Sequence, residues 1–85
     1  MKTADHAATL HSLAPGCSTR VVGVIGDDVL SQRLTDLGLW PGTEIEVVRR
    51  APFGDPTEYR LRGFRLALRS DEAARILVEA PGILT

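Results

Sequence analysis

With 85 residues, 44% of them hydrophobic and 25% charged, the chain has room for one thin-cored domain and little left over for a buried active site. Its formal net charge of −1 excludes a global attraction to nucleic acid or to an acidic membrane. The single cysteine, Cys17, cannot close an internal disulfide, and no apolar run suits a signal peptide or a membrane span, so a soluble cytoplasmic protein is expected.

Residues 1–9 are small and polar and are expected to fray as a flexible N-terminus. Leu10 and Leu13 are spaced to fold onto the core as a short turn. Pro15-Gly16 fits a type II turn, since Pro presets φ and Gly accepts a positive one. Thr19 to Ile25 is rich in Val and reads as a strand, with Gly23 marking a bend or a close backbone approach. Gly26-Asp27-Asp28 opens a helix predicted over residues 28–37, which either Asp can cap. Leu30, Leu34 and Leu37 form its apolar face; Arg33 and Asp36 lie off that face. Gly38 suits a left-handed stop.

Pro41-Gly42 repeats the earlier turn and feeds a second strand, Thr43 to Arg50, with Ile45 and Val47 inward. Residues 52–56 read as a loop. Thr57 to Arg62 alternates, with Tyr59 and Leu61 inward. Gly63 permits a tight reversal, after which Phe64, Leu66 and Leu68 face inward. Ser70-Asp71-Glu72 starts about one turn of helix. Ile76 to Val78 is a last strand, and residues 80–85 are a tail. The pattern predicts a mainly β fold: about five strands, one α-helix inserted after the first, curled into a closed or nearly closed barrel.

No nucleophile signature surrounds any Ser or Cys17, and the one Lys, Lys2, sits far from any phosphate-cradling loop. His6, His11 and Cys17 carry donor atoms suited to transition metals, but their spacing matches no established ligand motif. Arg49, Arg50, Arg60, Arg62, Arg65 and Arg69 form a basic stripe on or beside outward strand positions. Glu44, Glu46 and Glu58 share those strands, so a solvated mixed-charge face is expected. Trp40 and Phe53 fall in predicted turns. Each either caps an end of the barrel or serves as a contact residue, a role aromatics favour.

Several pieces in fixed order resemble the ferrous-iron transport protein A (FeoA) family over about residues 10–79. They are Leu10-x-x-Leu13-x-x-Gly16, then Arg33-Leu34-x-x-Leu37-Gly38-Leu39-x-Pro41-Gly42-x-x-Ile45-x-Val47. Further on come Ala51-Pro52-x-Gly54-Asp55-Pro56 and Gly63-x-x-Leu66-Ala67-Leu68-Arg69-x-x-Glu72-Ala73-x-x-Ile76-x-Val78. The resemblance implies an SH3-like barrel, in the bacterial cytoplasm, that assists or regulates a membrane ferrous-iron permease bearing a cytoplasmic GTP-binding domain. It implies no catalytic role and no required cofactor. A similar domain ends iron-dependent repressors, but this chain lacks their DNA-binding helices, so a free-standing accessory is expected. Arg33, Asp36, Trp40 and Phe53 are the candidate contact residues. Two other readings stay open: a module in which Fe2+ or Zn2+ links two copies as a homodimer through His6, His11 or Cys17, and a nucleic-acid-binding barrel using the arginine stripe, although no nucleic acid is expected.

Overall fold

The computed structural model describes residues 7–80. Its strands are β1 (Ala7–Thr9), β2 (Ser18–Val24), β3 (Glu44–Arg50), β4 (Thr57–Leu61), β5 (Phe64–Leu68) and β6 (Ile76–Glu79). Two helices interrupt them, α1 (Val29–Asp36) and the single turn α2 (Ser70–Ala73), and a 3-10 turn spans Leu10–Ser12. The strands pair antiparallel in the order β1-β6-β2-β3-β4-β5.

Strand β2 makes the sheet curl, because it changes partner along its length. Ser18 to Arg20 pair with β3, while Val21 to Val24 pair with β6. The register slips between Val21 and Gly23, leaving Val22 as an extra residue opposite β6. Such a bulge bends and twists its strand, which is the bend that Gly23 signals in the sequence. The inward residues converge on one core of Leu10, Leu13, Val21, Leu34, Leu39, Ile45, Val47, Tyr59, Leu61, Leu68, Ala73, Ile76 and Val78. Leu10 and Leu13 are both buried, as their spacing implies.

Four expectations need correction. Residues 7–9 do not fray, because Ala7, Ala8 and Thr9 pair with Glu79, Val78 and Leu77 and make a sixth strand; the rest of the segment expected to be flexible lies outside the described residues. Backbone pairing of small residues leaves no apolar periodicity to read. Phe64 keeps the inward register, directly opposite Leu61, but it is not buried: it is 42% exposed where it opens β5, the last strand of the sheet, directly after the turn. Leu37 does not complete a buried helix face, since α1 ends at Asp36 and Leu37 is its C-cap, exposed to solvent. Arg62 lies outside β4, in the turn that follows it.

The end of α1 explains which leucine replaces Leu37. Leu39 N–H donates to the Leu34 carbonyl at 3.3 Å and Gly38 N–H to the Thr35 carbonyl at 3.0 Å. Gly38 has φ +104°. These two crossed bonds about a left-handed residue make a Schellman motif, whose accompanying apolar contact joins the residues at its two ends. Here those residues are Leu34 and Leu39, both about 1% exposed. The chain therefore buries Leu39 after the helix has stopped.

At the other end, Asp28 is the N-cap and accepts from Ser31 N–H at 3.2 Å. It also receives both arms of the Arg75 guanidinium, at 2.8 and 2.9 Å. Gly26 leaves room for that arginine: a Cβ there would come within 2.8 Å of Arg75 Nη1. The Arg75 guanidinium and the Ser31 N–H hold the Asp28 carboxyl well below the usual carboxylate range. A depressed carboxylate adds stability above its unfolded value of about 4 and loses it as pH falls toward the folded value. Asp28→Asn keeps a capping oxygen but removes the charge. It is expected to lower the melting temperature at pH 7, with the gap to the parent narrowing steadily below about pH 4. Thermal melts of both proteins across that range check this; a gap that stays constant with pH would contradict it.

Candidate partner-binding surface

Arg33 and Asp36 are exposed on α1, and no ion pair joins them among the described residues. Trp40 follows the Schellman motif. Its indole Nε1–H donates to the Thr35 carbonyl at 2.7 Å, so the ring leans on the helix end while 43% of the residue stays in solvent. The Arg62 guanidinium stacks over the ring, 4.4 Å from its centroid. An open depression of about 520 Å³ beside this pair is lined by Trp40, Pro41, Gly42, Thr43, Glu44 and Arg62. Arg33, Asp36 and Trp40 thus belong to one region, the helix and the turn that leaves it.

Phe53 does not join them. It is 99% exposed in the loop between β3 and β4, whereas Trp40 lies just before β3. The seven residues of β3 extend about 3.3 Å each, so the two aromatics sit at opposite ends of a strand roughly 20 Å long.

The arginine stripe is largely paired. Arg60 meets Glu46 at 3.3 Å, Arg49 and Arg65 both meet Glu58, at 3.6 and 3.0 Å, and Arg69 meets Asp55 at 3.7 Å. Arg20, farther along the sheet, meets Glu44 at 3.1 Å. Such exposed pairs add little stability, but they leave the sheet surface without a one-signed field. Arg50 turns inward: its Nε donates to Thr57 Oγ1 at 3.0 Å and its Nη2 to the Leu13 carbonyl at 2.8 Å. That clamps the end of β3 to the segment before β2. Among the described residues, Arg33, Arg50 and Arg62 are the arginines without a carboxylate partner, and of these Arg50 is spent on Thr57 and the Leu13 carbonyl.

The candidate metal donors are dispersed. His6 lies outside the described residues. His11 sits on the 3-10 turn, half-buried, with Nδ1 inaccessible and without a hydrogen-bond partner. Cys17 is half-buried against the core just before β2. Among the described residues, no three His, Cys, Asp or Glu side chains gather around a point that could hold an ion. The Tyr59 hydroxyl is also buried without a partner, and burial pushes its phenol up, which keeps it neutral at physiological pH. Sequence reasoning missed Arg62 as the companion of Trp40. Its signal was the Arg62-Gly63 pair between two alternating runs, which makes Arg62 a turn residue.

Fold and surface together define the class: a small SH3-like β-barrel domain whose distinctive exposed groups are an aromatic and an arginine at a helix end. A family model described as the FeoA domain matches residues 8–80, and the chain belongs to that family. It is 37% identical over 70 residues to an Fe(2+) transport protein A/Fe(2+) transporter FeoB fusion protein of Porphyromonas gingivalis, a match covering 82% of this chain and 8% of that protein. The solution structure of a FeoA-like protein from Clostridium acetobutylicum superposes with a TM-score of 0.83 at 36% identity, covering 88% of this chain and 87% of that one. The crystal structure of Stenotrophomonas maltophilia FeoA complexed with zinc gives 0.76 at 33% identity, covering 85% and 89%. That protein is described as a prokaryotic SH3 domain protein and a candidate activating factor for bacterial ferrous iron transport. The family is thus linked to ferrous iron transport.

Proposed function

We propose that this domain is a non-enzymatic cytoplasmic accessory of a ferrous-iron permease, and that it docks on the permease's GTP-binding part through Arg33, Asp36 and Trp40. The Porphyromonas gingivalis fusion protein carries the reading, since there the matching segment and FeoB share one polypeptide. Covalent joining raises the effective concentration of two parts that otherwise meet by diffusion, so a separate chain needs its own contact surface. The helix end supplies one: an exposed aromatic for affinity and an unpaired Arg33 for orientation. Phe53 lies on a separate face and is assigned to no shared contact with Trp40. Titration of the domain with the purified cytoplasmic part of its cognate permease tests the proposal. Saturable binding is expected; its absence up to about 1 mM, a binding energy near 4 kcal/mol, overturns it.

A second reading, a metal-linked pair of copies, is favoured by the zinc-bound relative and by the unpartnered Nδ1 of His11. Zinc sites ordinarily need about four ligands, which the described residues of one chain do not gather. Calorimetry with Zn2+ and Fe2+ is therefore expected to show binding weaker than about 1 μM for the monomer. Metal-dependent dimerisation lost in His11→Ala would promote this reading over the first.

A further inference from the structure

Arg62 has a backbone that its residue type rarely adopts. It is the first of two residues linking β4 to β5, with φ +51°, followed by Gly63 at +86°. Two positive φ values are what a type I′ hairpin turn demands, and Asn, Asp or Gly normally fills the first place. A long side chain there is uncommon, and such outliers concentrate where the surrounding structure uses them. Here the use is visible. The Arg62 stem crosses Gly38 so closely that a Cβ there would lie 3.2 Å from its Cδ. The guanidinium then covers one face of Trp40 at 4.4 Å.

The consequences for Trp40 are specific. Its only donor is spent on the Thr35 carbonyl, and one ring face is occupied, so what remains for a partner is apolar ring surface. The guanidinium, by contrast, has no carboxylate partner among the described residues, and its planar fork suits a carboxylate. We infer that Arg62 is the positioning residue of the docking surface: it fixes the Trp40 ring and presents its own N–H groups to an acidic side chain that flanks an apolar one on the partner. The inference rests on the docking reading above and names the chemistry that surface recognises.

Trp40 is the chain's one tryptophan, so its fluorescence reports on Arg62 directly. Arg62→Gly is expected to fold as well as the parent, because glycine adopts the left-handed backbone freely. Its emission shifts to the red, and acrylamide quenches it more readily. Affinity for the permease's cytoplasmic part falls at least about fivefold, as loss of an aromatic–cation contact implies. Arg62→Lys keeps the charge but not the planar fork, and is expected to leave both the emission shift and most of the affinity loss. Unchanged emission and quenching in Arg62→Gly overturn the inference. Parent-like binding by Arg62→Gly, when Trp40→Ala binds weakly, also overturns it and leaves the docking reading standing. Parent-like binding by both variants overturns the docking reading, and this inference with it.

Discussion

Replacing Leu34 with Ala is expected to cost about 2–5 kcal/mol, the range for truncating a buried leucine. Total stability for a domain of this size is about 4–13 kcal/mol, so the loss is a large share of it. The expected cost is set by how little else holds α1. Only Ser31 and Leu34 of its eight residues are buried; Leu30 packs partly against the core, and Leu34 also faces Leu39 across the Schellman motif. Removing Leu34 therefore opens a cavity and frees the helix end on which Trp40 leans. Thermal melts are expected to shift down by roughly 10 °C or more, with Trp40 emission moving to the red before the main transition. Leu37→Ala serves as the control. Its side chain is exposed, and a shift of no more than about 0.5 kcal/mol is expected. A Leu34→Ala melt indistinguishable from that of Leu37→Ala would show that the helix is not held as described.

The strands and the main helix were legible because their signals are periodic. Ile45 and Val47 alternate inward, as do Tyr59 and Leu61, and each is buried. The Asp28 cap and the Gly38 stop were legible because backbone geometry restricts those places to few residue types. What escaped depends on partners remote in sequence. Strand β1 exists because β6 offers it a backbone edge, not because Ala7-Ala8-Thr9 prefers to be extended. Leu37 and Leu39 exchange roles because the helix ends one residue earlier than the apolar spacing suggests. The candidate surface was legible in part for the same reason. Trp40 and Arg33 stand out by residue type, but the contact of Arg62 with Trp40 requires knowing that the β4–β5 turn folds back over Gly38. Phe53 stood out equally by type, yet topology carries it to the far end of β3.

Trp40→Ala is expected to weaken binding to the permease's cytoplasmic part by about thirtyfold, the effect of losing an interface anchor worth about 2 kcal/mol. The fold should survive the change. With 43% of the residue in solvent, the ring is not a core element. The bond it gives up is accepted by a carbonyl that Gly38 N–H also serves. Loss of that bond accounts for about 1 kcal/mol of stability, well short of the Leu34→Ala effect. Arg33→Glu should weaken binding through orientation instead, because it reverses an exposed charge that has no partner to lose among the described residues. Its effect should therefore shrink as salt is added, whereas that of Trp40→Ala should persist, since apolar burial is not screened. Titrations at low and high ionic strength, beside melts of each variant, separate the two contributions. If Trp40→Ala unfolds the domain, the ring is structural and the anchor assignment fails. If it binds like the parent while staying folded, the contact lies elsewhere, and Phe53 at the opposite end of β3 becomes the residue to replace.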